Sequence, residues 1–176
     1  YTVEGDWSSA SYLLAAGALA GEINVTNLSQ ESLQADRKIV ALLTAMGASV
    51  DIDGNSIRVR KSNLKSIHAD LNECIDLLPT MGILAAAAEG TSVFSGIERA
   101  RIKESNRVSS VKTGLEAMGI RVTEETDRIS ITGSPLKGAV IDSHNDHRIA
   151  MAFSLLGLLA SDTVIEKAEC VAKTYP

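Results

Sequence analysis

The chain has 176 residues, with 22 acidic and 17 basic side chains, a formal net charge of −5 and 45% hydrophobic positions. These values are typical of a globular protein with one domain or two small ones. The acidic balance and the scarcity of aromatic side chains argue against binding to nucleic acid, and the longest apolar run, 149–160, falls short of the ~20 residues that span a bilayer.

A pattern of helices and strands begins near the first residue and is repeated later in the chain. Its first helix is apolar and rich in alanine, and Gly21 closes that helix. The second helix is amphipathic, and an Asp53-Gly54 turn joins the two strands that follow it. In order, the first copy comprises a short strand at 2–4, the apolar helix at 8–21, a strand at 22–26, the amphipathic helix at 35–46, and strands at 49–52 and 57–59.

The second copy repeats this order, and the third begins in the same way. The second helix ends in Ala-Met-Gly in both the first and the second copy, at Ala45 and at Ala117. The second copy comprises a strand at 68–71, helix 79–90, strand 91–94, helix 105–118, and strands 121–123 and 128–131. The third comprises helix 147–160 and strand 163–165. We therefore predict β-α-β-α-β-β units at about 2–66 and 67–136, and a truncated unit at 137–176.

The two kinds of helix predict how the units pack. The alanine-rich helices are apolar on nearly all sides, so we expect them to be buried, whereas the amphipathic helices keep one polar face. The short strands would then cover the helices. The sequence predicts an α+β fold in two layers, with helices inside and sheets outside, forming a single domain over residues 1–176.

Two predicted helix starts carry basic residues where the helix dipole disfavours them. Arg148 follows Asp146 and His147 at the start of the third apolar helix, and Lys103 and Arg107 lie four residues apart at the start of helix 105–118. An anionic ligand would remove the conflict with the dipole. The alternative is a set of solvated charges, with Asp146 or Asn145 capping one helix and Ser105 or Asn106 the other.

Two carboxylates are candidates for chemistry: Glu104, which lies among these basic residues, and Asp76, which precedes a predicted helix. Glu104 has basic neighbours, which would hold it ionised unless burial or substrate charge raises its pKa. Asp76 precedes the Pro79 helix start, where a capping role is the alternative to chemistry. His144 and His147 lack a zinc spacing, and Cys74 and Cys170 are far apart, which favours free thiols in a reducing compartment.

Four segments together resemble the 5-enolpyruvylshikimate-3-phosphate (EPSP) synthase family. They are Val3–Asp6 with Ser8–Tyr12, Arg101–Arg107, Asp146–Phe153 and Lys173–Pro176. Members of that family have two domains of three β-α-β-α-β-β units each, with the active site between them. The resemblance implies that this chain is the C-terminal domain, cut just before its end.

The resemblance also implies a reaction and the residues that perform it. The family transfers the enolpyruvyl group of phosphoenolpyruvate to the 5-hydroxyl of shikimate 3-phosphate and releases phosphate, without a metal or organic cofactor. Asp76 matches the carboxylate that takes the hydroxyl proton, and Glu104 the residue that moves the proton at the methylene. The substrate-binding positions implied in this chain are Lys103, Arg107, His147, Arg148 and Lys173. Asn106 replaces an aspartate common in the family, and Arg99 stands where some members have a polar substrate contact.

The implied partners are phosphoenolpyruvate, shikimate 3-phosphate and the N-terminal domain that the chain lacks, without which it is expected to be inactive. The whole enzyme is expected to be a cytoplasmic monomer of the shikimate pathway of aromatic amino acid biosynthesis, and a glyphosate target. Two alternatives stay open. One is the related transferase that acts on UDP-N-acetylglucosamine, which the run from Asp146 to Met151 disfavours. The other is a module that binds phosphorylated metabolites without catalysis.

Overall fold

The structure is a computed structural model that describes residues 3–175. The α-helices in that range are α1 (Trp7–Ala20), α2 (Ile39–Ala45), α3 (Leu78–Ala87), α4 (Arg107–Ala117) and α5 (His147–Leu156). Short 3₁₀ helices span Ala35–Lys38, Asn72–Leu77, Glu98–Ile102 and Ala168–Lys173. The strands are β1 (Glu22–Val25), β2 (Ser49–Asp53), β3 (Ser56–Arg60), β4 (His68–Asp70), β5 (Thr91–Ser95), β6 (Arg121–Glu124), β7 (Arg128–Thr132), β8 (Val140–Asp142) and β9 (Val164–Glu166).

The strands form three sheets that follow the repeated order of the sequence. The first sheet has the order β1-β3-β2 and is antiparallel, whereas the second has the order β4-β5-β7-β6, in which β4 and β5 are parallel. β8 and β9 form a parallel pair that corresponds to β4 and β5. The unit bounds at 2–66, 67–136 and 137–176 stay a prediction.

The apolar helices form the core, and α3 packs against α1, α4 and α5. α3 is buried along almost its whole length, because alanine, leucine and isoleucine cover all of its sides. Small residues allow close contact between helices, since a Cβ on Gly114 of α4 would lie 2.4 Å from Cζ of Phe153 on α5. Buried strand residues alternate with exposed or half-buried ones, as in β7. The predicted α+β class, with helices inside and sheets outside, is confirmed.

Several predicted element bounds are wrong. α4 begins at Arg107 rather than at Ser105, and α5 ends at Leu156 rather than at Ala160. Of the predicted first strand, Thr2 lies outside the described residues, and Val3 and Glu4 are not in a strand. β8 (Val140–Asp142) is an additional strand that was not predicted from the sequence. No helix among residues 3–175 is long and apolar enough to cross a membrane.

Candidate active site

Asp76 lies at the centre of a cluster of charges. It belongs to the 3₁₀ helix Asn72–Leu77 that leads into α3, and no side chain caps α3, so the capping role is excluded for this residue. Its carboxylate instead accepts from Nη1 of Arg107 at 2.7 Å, and it lies 3.3 Å from both Nζ of Lys103 and Nη2 of Arg148. Residues from α4, from α5 and from the segment before α4 therefore meet at one carboxylate.

Arg107 is the most buried cation of this cluster, with 1% of its surface exposed. Its Nε donates to Oδ2 of Asp146 at 2.8 Å, and its Nη2 donates to Oε2 of Glu104 at 2.6 Å, in addition to the contact with Asp76. Three carboxylates thus compensate one buried cation. A buried charge is tolerated when it is paired and hydrogen-bonded in this way.

Asp146 joins the starts of α4 and α5. It caps α5 by accepting from the backbone N–H of Arg148 at 2.9 Å, and it accepts from the hydroxyl of Ser105 at 3.0 Å. Burial acts to raise its pKa, but the Arg107 charge and these hydrogen bonds outweigh burial and hold the pKa below its usual range. Of the two expected caps of this helix, Asp146 is therefore the cap. Its contact with Arg107, 39 positions away, arises from the fold and has no local signal in the sequence.

Glu104 is held strongly ionised. Its Oε1 accepts from Nζ of Lys173 at 3.0 Å, while Oε2 accepts from Arg107. Burial acts to raise its pKa, but the hydrogen bond from Lys173 and the charge of Arg107 outweigh burial and lower the pKa to about 2. In this arrangement Glu104 can accept a proton and cannot act as an acid at neutral pH, as the basic neighbours in the sequence predicted.

The remaining cations are only partly engaged. Among the described residues, the guanidinium of Arg148 makes a single side-chain hydrogen bond, the 3.3 Å contact with Asp76. The side chain of Lys103 is 34% exposed and that of Lys173 is 63% exposed. These three side chains have donors left for a ligand, whereas Arg107 would have to exchange a carboxylate for one.

One sequence prediction needs correction here, and two further residues lie at the edge of the cluster. Lys103 does not lie on the first turn of α4, because the chain is extended at Lys103 after the 3₁₀ helix Glu98–Ile102. Arg99 donates to the backbone and side-chain oxygens of Asn72, so it links two 3₁₀ helices. His147 is 6% exposed and lies 4.0 Å from Asp146; burial and the charge of Arg148 lower its pKa, which favours a neutral imidazole.

Sequence reasoning missed two buried residues beside the cluster, Tyr12 and Asp36. The Asp36 carboxylate is 6% exposed and accepts a hydrogen bond from the hydroxyl of Ser8, and burial raises its pKa. A cavity of about 280 Å³ is lined by Ser8, Asp36 and Asp76, among others. Tyr12 is 3% exposed. Neither residue stands in a spacing that indicates chemistry.

The cluster is suited to a ligand with several negative charges and a hydroxyl group. Four cations surround two carboxylates, Asp76 and Glu104, whose side chains are 30% and 36% exposed. Among residues 3–175, no group of three or more histidine, cysteine or acidic side chains is placed to hold a metal ion. Cys74 and Cys170 are free thiols.

Comparisons with known proteins agree on one family. The family model for EPSP synthase (3-phosphoshikimate 1-carboxyvinyltransferase) matches residues 1–176. The 3-phosphoshikimate 1-carboxyvinyltransferase of Dehalococcoides mccartyi is 54% identical over the whole chain, and that of Methanosphaera stadtmanae is 44% identical. The chain spans 42% of the length of each of these two relatives.

Solved structures show the same architecture. EPSP synthase from Acinetobacter baumannii superimposes on 98% of this chain with a TM-score of 0.86 and 33% identity, and the match covers 44% of that protein. The enolpyruvyl transferase NikO from Streptomyces tendae superimposes on 99% of this chain with a TM-score of 0.76, and the match covers 41% of NikO. At 19% identity this likeness concerns the fold alone. Because the family model covers every residue of the sequence, the chain belongs to the EPSP synthase family.

Proposed function

We propose that the protein of which this chain is part is a 3-phosphoshikimate 1-carboxyvinyltransferase, with this chain as its C-terminal domain. The reaction joins the enolpyruvyl group of phosphoenolpyruvate to the 5-hydroxyl of shikimate 3-phosphate and releases phosphate. The observation that carries the proposal is the placement of two carboxylates, Asp76 and Glu104, among four cations where α3, α4 and α5 begin. Membership of the family supports it.

The cations account for binding. Phosphoenolpyruvate carries a carboxylate and a phosphate, and these groups can replace the protein carboxylates as partners of Arg148, Lys173 and Arg107. Lys103, 3.3 Å from Asp76, is placed to contact the second anionic substrate beside the acceptor hydroxyl. His147, buried at the start of α5, would border the phosphoenolpyruvate site. Binding is thus an exchange of ion pairs.

The two carboxylates account for the proton transfers. In the addition step Asp76 takes the proton of the 5-hydroxyl as its oxygen bonds to C2 of phosphoenolpyruvate, and the methylene carbon gains a proton. In the elimination step the methyl carbon loses a proton, the C–O bond to phosphate breaks and phosphate leaves. We assign the proton at this carbon to Glu104. The pKa of Glu104 must then rise for the addition step, which would follow if the substrate drew Lys173 and Arg107 away and left burial as the main influence.

Steady-state phosphate release by the full-length protein tests the proposal. Release should require both phosphoenolpyruvate and shikimate 3-phosphate, and omission of either should abolish it. UDP-N-acetylglucosamine in place of shikimate 3-phosphate should give no release; release with that acceptor instead would assign the protein to the related transferase. Binding of both substrates without release would support a module that binds metabolites without catalysis.

The proposal extends to the setting of the whole protein. Its place would be the shikimate pathway of aromatic amino acid biosynthesis, in the cytoplasm, as a monomer whose two domains close around the substrates. Two free thiols, at Cys74 and Cys170, fit a reducing compartment. Glyphosate would be an inhibitor of this enzyme.

A further inference from the structure

The Tyr12 side chain of α1 places its hydroxyl in the protein interior, beside the cluster of charges. It is 3% exposed, and among residues 3–175 its oxygen has no hydrogen-bond partner. The Arg148 guanidinium and the Thr80 hydroxyl lie close enough to the Tyr12 hydroxyl to act against the effect of burial on its pKa. Neither of them meets the distance and angle of a hydrogen bond to it. A buried hydroxyl without a partner is costly, and phenylalanine would fill the same volume without that cost.

Arg148, the cation beside Tyr12, has few hydrogen-bond acceptors. In the described part of the chain its guanidinium has one side-chain acceptor, Asp76 Oδ2, at 3.3 Å. Arg107, in contrast, has three carboxylate partners. Asp76 is also the residue that the proposed function requires to turn towards the substrate hydroxyl. When it does so, Arg148 loses that acceptor, and no other side-chain acceptor among residues 3–175 then fixes its orientation towards the ligand.

We propose that Tyr12 is a positioning residue for phosphoenolpyruvate binding, whose hydroxyl accepts a hydrogen bond from Arg148 when the substrate hydroxyl takes over Asp76. This inference rests on the proposed function. The hydroxyl proton of Tyr12 would then point to Thr80, whose own hydroxyl lies 3.3 Å from that of Ser11. Arg148 would keep the remaining donors of its planar group for the ligand.

The surroundings of Tyr12 suit a neutral acceptor. Burial raises the pKa of Tyr12 to about 12, although the charge of Arg148 acts in the opposite direction, so the hydroxyl keeps its proton at neutral pH. A neutral oxygen can accept from Arg148 without competing with an anionic ligand for its charge. The buried Asp36 carboxylate supplies a further negative charge near the guanidinium.

The test is Tyr12→Phe in the full-length enzyme, which removes one oxygen and keeps the volume of the ring. If the hydroxyl positions Arg148, the KM for phosphoenolpyruvate should rise about 10- to 150-fold, the effect expected for one hydrogen bond to a charged group. The kcat, the KM for shikimate 3-phosphate and the melting temperature should stay close to those of the unmodified enzyme. Ser92→Ala is the control, because it removes a buried hydroxyl on β5 that accepts a hydrogen bond from the backbone N–H of Ile67 and contacts neither Tyr12 nor Arg148 through a hydrogen bond.

A double-mutant cycle with Arg148→Lys shows whether Tyr12 acts through Arg148. Lysine lacks the planar group, so adding Tyr12→Phe to Arg148→Lys should raise the KM for phosphoenolpyruvate much less than it does alone. The inference would be overturned if Tyr12→Phe left the KM for phosphoenolpyruvate unchanged or lowered only the melting temperature. It would also be overturned if the effects of the two substitutions on this KM were additive. If the unmodified enzyme released no phosphate, the proposed function would be contradicted instead. Failure of the inference about Tyr12 and failure of the proposed function therefore give different results.

Discussion

Arg107 and Arg148 lie at the starts of neighbouring helices and contact the same carboxylate, yet they differ in burial. The side chain of Arg107 is 1% exposed and that of Arg148 is 14% exposed. Arg107→Met should destabilise the protein by about 3–5 kcal/mol, because Asp146 would then be buried without its cation. Arg148→Met should change the free energy of unfolding by about 1 kcal/mol or less, since Asp76 keeps other partners. Urea denaturation compares the two, and equal losses would contradict the structural role given to Arg107.

The lowered pKa values of Glu104 and Asp146 make a prediction about acid. Both groups bind protons more tightly in the unfolded chain than in the folded one, so the stability that they supply is complete above the ordinary pKa of 4.5 for Glu104 and is lost as pH falls towards about 2. The free energy of unfolding should therefore fall as pH decreases through this window. Asp146→Asn should be less stable than the unmodified chain at pH 7 and should lose less on acidification. A variant with the same pH dependence as the unmodified chain would remove Asp146 from this role.

Residue by residue, the sequence predicted the members of the site better than their contacts. Basic residues at helix starts and the family motifs pointed to Arg107, Arg148 and Glu104, and the structure brings these residues together with Asp76. The sequence could not predict that three carboxylates accept hydrogen bonds from Arg107, because these carboxylates come from separate segments of the chain. Tyr12 and Asp36 were missed because a buried polar residue inside an apolar or amphipathic pattern has no distinctive spacing.

At the scale of elements, the long apolar helices and the Asp53-Gly54 hairpin were predictable because composition and turn chemistry are local properties. The 3₁₀ helices Asn72–Leu77 and Glu98–Ile102 were not predicted. 3₁₀ helices are short connectors, and a segment of five or six residues has too few positions for a periodic pattern of apolar side chains. They matter here because Asp76 lies in the first and Lys103 directly follows the second.

Contact between α4 and α5 brings their charged starts together, and Gly114 permits that contact. A Cβ at this position would lie 2.4 Å from Cζ of Phe153, whose ring is fully buried. Gly114→Ala should therefore destabilise the protein by about 1–3 kcal/mol and lower its melting temperature. Gly21→Ala is the control, because the backbone there is extended and no atom lies within 4 Å of the added Cβ. Equal melting temperatures for the two variants would show that α4 and α5 do not pack as closely as described.

At the scale of the whole molecule, the sequence was sufficient to predict the repeat and the family. It was not sufficient to predict the whole active-site cleft of the proposed enzyme. The chain spans 42% of the length of its relatives from Dehalococcoides mccartyi and Methanosphaera stadtmanae. The side chains of Lys103 and Lys173 in the cluster are 34% and 63% exposed. Under the proposed function, further substrate contacts come from residues outside this sequence, so the sequence could not predict them.

The isolated chain should accordingly bind anions weakly and perform no turnover. Positioning of both substrates supplies about 7–11 kcal/mol of a barrier, and half a cleft provides little of it. Binding of phosphoenolpyruvate, measured by calorimetry, should weaken steeply between low salt and 0.5 M salt, because the exposed cations are screened. Phosphate release by the isolated chain at the rate of a full-length relative would contradict the assignment of the remaining groups to another domain.

The central claim is that Asp76, held among the cations of this cluster, transfers a proton in the proposed reaction. The most direct measurement is the kcat for phosphate release by the full-length protein carrying Asp76→Asn, compared with Asp53→Asn, which changes an exposed aspartate at the end of β2. A positioned acid or base contributes about 10²- to 10⁴-fold, so Asp76→Asn should lower kcat by that factor while melting temperature stays near that of the unmodified protein. Asp53→Asn should leave kcat unchanged. A kcat for Asp76→Asn equal to that of Asp53→Asn would contradict the account.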